Sequence, residues 1–137
     1  MTAIVNKPAL TLVAALTAIE AAKAQAIKRN WPVVIAVVDD GGHLIALHRL
    51  DNAQFGSVEI ATAKARAAVA FKRPTKSWDD TLAGGRQAVL GLPGVVPAEG
   101  GVPIIMDGVV IGAVGVSGVT SPEDGEVAQA GVAALVK

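Results

Sequence analysis

The sequence predicts an α+β fold in which one antiparallel β-sheet, built from two hairpins, is flanked by α-helices. Two pairs of β-prone segments carry this prediction, because each pair is joined by a short turn rich in Asp and Gly. Segments whose apolar residues recur at helical spacing precede, separate and follow the hairpins. The chain contains no parallel strand–helix–strand alternation and no G-x-G-x-x-G motif, which excludes Rossmann and P-loop folds.

Chain length and charge limit the class of protein. The 137 residues suffice for one domain, predicted over residues 1–137, and are too few for two. The 12 basic and 12 acidic side chains cancel, which argues against a nucleic-acid partner, because such a partner requires a basic surface. Hydrophobic residues make up 52% of this short chain, so we expect part of them to be buried between copies of the chain in a homo-oligomer.

Cysteine and long apolar segments are both missing from the sequence. Without cysteine there is no disulfide framework, thiolate metal site or cysteine nucleophile. The longest uncharged segment, from Gly108 to Pro122, is shorter than the roughly 18 residues that a membrane-spanning helix needs. The apolar stretch from Pro8 to Ile19 is followed in the same helical phase by Glu20 and Lys23, which is atypical of a secretory signal. We therefore predict a cytoplasmic protein with no membrane partner.

The first third of the chain predicts a helix and the first hairpin. Residues Pro8–Asn30 carry an apolar stripe at helical spacing, in which Lys23 either pairs with Glu20 or contributes a cation to a pocket. The strands Val33–Val38 and His43–Arg49 follow, joined by a turn of Asp and Gly.

The second strand is expected to divide its side chains between two faces. Because side chains alternate along a strand, His48 should point to one face. The opposite face should hold His43, Ile45, Leu47 and Arg49.

The next segment, Phe55–Phe71, predicts an Ala-rich helix that is buried on two sides. In a chain this small, the second buried side is expected to meet another subunit. The first apolar stripe consists of Phe55, Val58, Thr62, Ala65 and Val69, and the second of Ile60, Ala67 and Phe71.

A short basic patch and a long loop follow this helix. Ser77 is expected to cap a short helix, with Asp80 as the carboxylate of a capping box. Residues Gly84–Gly101 predict a long loop, and loops of this length tend to have a function. The patch is expected to be a solvated helix end and consists of Lys72, Arg73 and Lys76.

The second hairpin is the strongest local signal. Asp107-Gly108 between the strands Val102–Met106 and Val109–Ser117 predicts a type I′ turn. Glycines within the second strand indicate the close approach of a backbone or a ligand. Ser121 is expected to cap a last helix that ends near Lys137, with Pro122 and Asp124 in its first turn.

Several kinds of chemistry are disfavoured by the residues present. Ser117 is not in a G-x-S-x-G elbow, which argues against a serine hydrolase. The two histidines lie five residues apart on a predicted strand and face opposite ways. They therefore cannot bind one metal ion together, and we predict no metal site. A haem would find an axial ligand only in His43, His48 or Met106, and the sequence leaves the choice open.

The most convergent set of polar groups is expected where the two hairpins meet. Arg49, followed by Asp51, could hold a carboxylate in a bidentate manner. His43 is the group on that face able to exchange a proton near neutral pH. The competing interpretation is that Arg49 and Asp51 only pair with each other and that the glycines only form turns. The second hairpin is expected to add Glu99, an anion nest at Gly100-Gly101, and Ser117-Gly118.

These segments together resemble the GlcG/HbpS-like family, which includes the C-terminal domain of PduO-type proteins. The resemblance covers nearly the whole chain. The matching residues are Val37–Leu44, Arg49–Ala53, Ser57, Ala61, Ala63–Ala65, Gly100–Ile104, Asp107-Gly108, Ile111–Gly118 and Asp124. They add Lys64 to the ligand-binding candidates.

The resemblance implies a profilin-like antiparallel sheet with flanking helices, and homo-oligomers from dimers to octamers. It also implies a small-molecule ligand, because some relatives bind or degrade haem and others are linked to cobalamin metabolism. Our first hypothesis is therefore an oligomeric domain that binds haem, a corrinoid or a similar planar ligand.

The alternative hypothesis is a small catabolic enzyme that acts on a carboxylate or oxo-acid. In it, Arg49 would anchor the carboxylate, and His43 or Glu99 would move a proton. The amides of Gly100 and Gly101 would stabilise an oxyanion.

Overall fold

The computed structural model describes residues 3–136. Its elements in chain order are α1 (Leu12–Arg29), β1 (Val34–Asp39), β2 (Leu44–Arg49), α2 (Ser57–Phe71), α3 (Lys76–Ala83), a 3-10 turn (Gln87–Gly91), β3 (Gly101–Met106), β4 (Val109–Ser117) and α4 (Ser121–Ala133). The predicted fold class is confirmed, because four helices accompany one antiparallel sheet within these residues.

The two hairpins lie side by side in the sheet. The strand order is β2-β1-β4-β3, and the pairing of β1 with β4 joins the hairpins. Asp107 and Gly108 both have positive φ, at 51° and 78°, as the predicted type I′ turn requires.

Helices cover both faces of the sheet. On one face, α1 and α4 pack on a large apolar cluster that includes Val33, Ile35 and Val37. On the other face, α2 packs on β1 and β4 through small side chains, among them Ala61 and Ala65. β1, covered on both faces, is the continuous apolar run that its sequence predicted.

Several predicted helix starts are wrong by a few residues. Helix α1 begins at Leu12 rather than Pro8, because the Thr11 side chain accepts a hydrogen bond from the Ala14 N–H. Helix α3 begins at Lys76, and the Ser77 hydroxyl donates to the carbonyl of Pro74 instead of capping. The cap of α4 is Thr120, not Ser121, and Glu123 rather than Asp124 accepts from the Thr120 N–H.

The predicted apolar stripes of α2 are corrected at their large residues. Phe55 precedes the helix and is 80% exposed, and Ile60 is 45% exposed. The buried face instead consists mainly of small residues and one lysine, because α2 lies too close to the sheet for large side chains. Its members are Ser57, Ala61, Lys64, Ala65, Ala67, Ala68 and Val69.

Candidate functional site

The strand β2 forms one edge of the sheet, and a cavity of about 770 Å³ lies beside it. We call it the edge cavity. It is bounded by the C-terminal half of α1, the connection to β1, the end of β2 and the turn that follows β2. Its volume is within the range typical of small-ligand and cofactor sites. The lining residues that bear on its chemistry are Lys23, Ile27, Trp31, His48, Arg49 and Asp51.

The edge cavity wraps around the edge of the sheet. His48 pairs in register with Ile35, whose side chain packs in the cluster beneath α1, so His48 lies on the α1 face. Arg49 pairs with Val34, which packs against Ala61 of α2, so Arg49 lies on the opposite face. The cavity therefore collects groups from both faces of β2.

A β-bulge explains why the predicted face of β2 is only partly correct. Val37 pairs with Ala46 and Val38 with Leu44, which leaves Ile45 as the extra residue. Ile45 packs with the α1 cluster, whereas Leu47 packs with the α2 cluster. The expectation that Ile45, Leu47 and Arg49 share a face is thus wrong for Ile45, because the bulge interrupts the alternation.

Two cations line the edge cavity, and they differ in their partners. The Lys23 Nζ lies 3.0 Å from a carboxylate oxygen of Glu20, so both interpretations of Lys23, ion pair and pocket cation, apply. Arg49 forms no salt bridge with any group in residues 3–136, Asp51 included. The guanidinium of Arg49 is therefore available to an anion.

An aromatic ring and apolar side chains complete the walls. Trp31 follows Asn30, which ends α1 in a left-handed conformation. The backbone N–H of Trp31 donates to the carbonyl of Ala26. The Arg29 guanidinium lies 5.5 Å from the centre of the Trp31 ring, which holds the indole in place. A flat apolar ligand could pack on such a surface.

His43 lies far from Arg49. His43 belongs to the turn before β2, while Arg49 ends that strand, which separates the two by about 20 Å. The His43 side chain is 83% exposed, and its Nδ1 lies 3.3 Å from Asp39 Oδ1. The predicted convergence of His43 and Arg49 is therefore wrong within one chain, because the two residues lie at opposite ends of one extended segment.

Glu99 and Gly101 line a second cavity, of about 400 Å³, between α4 and the residues around α3. Neither residue lines the edge cavity. The Gly101 N–H donates to the Thr75 side chain at 2.9 Å, so it is not free for an oxyanion. The predicted anion nest at Gly100-Gly101 is accordingly wrong at Gly101.

Gly100 and Gly101 instead permit close packing. A Cβ on Gly101 would lie 2.2 Å from the backbone oxygen of Lys64, and one on Gly100 would lie 2.6 Å from that of Val116. These glycines let the start of β3 lie directly against α2 and β4.

Lys64, a predicted ligand-binding residue, is a buried cation that lines none of the described cavities. It is 2% exposed, donates to Asp124 Oδ2 at 2.9 Å and donates to the Val116 carbonyl at 3.1 Å. Burial raises the pKa of Asp124, which the Lys64 ammonium opposes. Asp124 also accepts from the Val119 N–H, so the pair joins α2, β4 and α4.

Ser117 and Gly118 also lie in tightly packed surroundings. The Ser117 hydroxyl hydrogen-bonds to that of Ser57 at 3.0 Å, and Ser117 is 5% exposed. Gly118 has a φ of 144°, and a Cβ there would lie 2.6 Å from the Pro32 oxygen. The assignment of Ser117 and Gly118 to ligand binding stays a prediction, because neither residue lines one of the described cavities.

Sequence reasoning missed the composition of the edge cavity. Trp31 carried a signal, since it is one of only two tryptophans and directly follows a helix. His48 was placed on the face opposite Arg49, and the sequence did not indicate that one cavity reaches both faces of an edge strand.

The fold and the edge cavity define a small α+β protein with a ligand-sized cavity at a sheet edge. The chain belongs to the HbpS-like family, whose model, described as haem degrading protein HbpS-like, matches residues 10–133.

Named relatives agree with this assignment. The chain is 46% identical over 99 residues to protein GlcG of Escherichia coli K12, covering 72% of this chain and 74% of that protein. The crystal structure of Klebsiella pneumoniae protein ORFY matches with a TM-score of 0.91 at 31% identity, covering 98% and 95% of the two chains. The crystal structure of a PduOC–haem complex matches with a TM-score of 0.84 at 31% identity, covering 94% and 96%.

Within residues 3–136, no helix is both long enough and apolar enough to span a membrane.

Proposed function

We propose that this protein binds haem in the edge cavity. The observation that carries the proposal is the placement of an imidazole, an unpaired guanidinium and an indole around one cavity of about 770 Å³. The family match and the haem complex of a structural neighbour support the choice of ligand. Bound haem would supply an iron centre for ligand binding or redox chemistry, and the chain supplies the surroundings.

The residues of the edge cavity fit the chemistry of haem. The imidazole of His48 is a common axial ligand of haem iron. Ile27, Leu47 and Trp31 offer apolar contact to the porphyrin ring. Arg49 and Lys23 are cations suited to the two propionates, because guanidinium–carboxylate contacts are strong charge-assisted hydrogen bonds.

The cavity favours His48 over the other axial candidates. His43 is solvent-exposed beside Asp39 and lines none of the described cavities. Met106 ends β3 next to the second hairpin turn, on the edge strand opposite to β2. A corrinoid remains an alternative planar ligand, and titration with a cobalamin distinguishes it from haem.

The enzyme hypothesis receives less support from the geometry. Its carboxylate anchor Arg49 lines the edge cavity, whereas Glu99 lines another and His43 lies at the far end of β2. The proposed proton carriers therefore do not face a substrate held by Arg49 within one chain.

We also propose that the protein forms a homo-oligomer. Val13, Phe55 and Leu90 are 76%, 80% and 66% exposed in the single chain, and such side chains are commonly covered by another subunit. Light scattering should give a mass of at least twice the 13.8 kDa of one chain. A monomer at micromolar concentration would contradict this proposal without affecting the haem site.

Titration with hemin tests the haem proposal, and the two histidines provide a matched pair of variants. Wild-type protein should shift the Soret band and saturate at one haem per chain. H48A should lose that shift or weaken binding about tenfold or more, a change worth about 1.4 kcal/mol. H43A, which removes an imidazole outside the edge cavity, should bind like the wild type.

Further variants separate the roles of the wall residues. R49Q should weaken hemin binding while it leaves the Soret position unchanged, because it removes a propionate contact and no axial ligand. An H48A protein that binds hemin with the wild-type spectrum would contradict the assignment of His48. Failure of the wild-type protein to bind hemin would contradict the proposed function itself.

A further inference from the structure

A separate cavity of about 600 Å³ lies along the outer side of α2. We call it the α2 cavity. The turn between β1 and β2 closes one side, and residues 94–96 of the long loop close another. It shares no residue with the edge cavity. The lining residues used below are Asp40, Ala63, Arg66, Ala70, Lys72 and Val95.

Two cations line the α2 cavity without a partner. Neither Arg66 nor Lys72 forms a salt bridge within residues 3–136. The one acidic residue in the lining, Asp40, is already paired with Lys7. The cavity therefore has an excess positive charge that the described part of the chain does not neutralise.

The backbone places both cations beside the cavity. A Cβ built on Gly42 would lie 3.7 Å from the Cγ of Arg66, so the Arg66 stem lies against the β1–β2 turn. Lys72 ends α2 in a left-handed conformation, with a φ of 56°, at a position where glycine is usual. Lys72 belongs to the cavity wall at this position.

The remaining wall is apolar. Ala63 and Ala70 lie two helical turns apart on α2 and both keep exposed surface, and Val95 of the long loop belongs to the same wall. Small side chains on the helix leave a shallow apolar surface between the two cations. An inorganic anion would satisfy the charges but would leave this surface in contact with water.

We propose that the α2 cavity is a second binding site, specific for a small organic acid that joins one carboxylate to a flat apolar body. The carboxylate would contact Arg66 and Lys72, and the apolar body would cover Ala63, Ala70 and Val95. The assignment goes beyond haem binding, because it concerns a different cavity and a different ligand class. It also gives a role to the long loop, which the haem site does not use.

Calorimetric titration with 1-naphthoate tests the site, with neutral 1-naphthalenemethanol as the ligand control. The naphthoate should bind the wild-type protein about tenfold or more tightly than the alcohol, because the alcohol lacks the charge. The variant R66Q/K72Q should reduce that preference to about twofold or less. The matched control K28Q/R86Q removes two exposed cations outside the described cavities and should retain the wild-type preference.

Two further measurements isolate the cavity. A70F adds bulk to the wall without changing charge and should abolish naphthoate binding while circular dichroism stays native. Hemin titration of R66Q/K72Q should match the wild type, which distinguishes this proposal from the haem proposal.

Four outcomes would overturn the organic-acid site. The first is that the wild type does not bind naphthoate at millimolar concentration, and the second is that K28Q/R86Q loses the preference for naphthoate as much as R66Q/K72Q does. The third is that inorganic phosphate binds as tightly as naphthoate. The fourth is that R66Q/K72Q loses hemin binding. The last would mean that the α2 cavity takes haem.

Discussion

The burial of the Lys64–Asp124 ion pair carries a desolvation cost. Both residues are 2% exposed, so two charges have left water. Their ion pair and the hydrogen bonds to Val116 and Val119 offset that cost. Removal of either partner alone leaves an uncompensated buried charge.

We therefore expect K64M to lower the free energy of unfolding by about 3–5 kcal/mol. Methionine retains most of the side-chain volume and removes only the charge and its hydrogen bonds. The matched control is K76M, which breaks the exposed Lys76–Asp80 pair and should leave the denaturation midpoint nearly unchanged. Equal midpoints for K64M and wild type in urea would contradict a structural role of Lys64.

Asp39 makes the first turn sensitive to acid. The backbone N–H of His43, and secondly that of Gly41, hold the pKa of Asp39 below its ordinary value of 3.8. As pH falls below this ordinary value, the unfolded chain takes up the proton first. The stabilisation by Asp39 is therefore complete at a pH above the ordinary pKa, and it is lost as the pH falls through the lower pKa of the folded protein.

D39N tests this pH dependence, because asparagine accepts the same hydrogen bonds but does not titrate. Between about pH 5 and pH 2, the Tm of D39N should fall less steeply than that of the wild type. Parallel curves would show that the Asp39 carboxylate does not stabilise the turn.

At the scale of elements, α2 approaches the sheet at a glycine. A Cβ on Gly115 of β4 would lie 2.0 Å from the Ala61 oxygen and 2.6 Å from the Ala65 nitrogen. The sequence predicted that the glycines of this strand allow a backbone or a ligand to approach, and the neighbour at Gly115 is the backbone of α2.

G115A should therefore destabilise the protein by about 3 kcal/mol, because the backbone of α2 must move away from β4. G91A is the control, since a Cβ at Gly91 meets no atom within 4 Å. Its urea midpoint should be close to that of the wild type. If G115A unfolds at the wild-type midpoint, the packing of α2 on β4 is wrong.

Local patterns predicted elements well but not their exact ends or irregularities. The Asp107-Gly108 turn was predictable because two residues determine it. The Ile45 bulge was not, because it arises from pairing with β1, which is a long-range contact. The cap of α4 is Thr120 rather than Ser121, and the local pattern could not choose between them because adjacent Thr and Ser offer the same chemistry.

At the scale of the whole molecule, the common sheet was predictable and the site was not. Apolar strands that need cover on both faces imply central pairing, which β1 and β4 provide. The predicted site placed His43, Arg49 and Gly100-Gly101 together, although hairpin order does not fix which ends and edges lie close. The structure instead gives the edge strand β2 its own cavity, with His48 in place of His43.

The location of the iron in crystals of the haem-loaded protein tests the central claim most directly. Anomalous diffraction at the iron absorption edge should give one peak per chain in the edge cavity, within coordination distance of a His48 ring nitrogen. A peak beside His43 or Met106, or in the cavity lined by Arg66 and Lys72, would contradict the account.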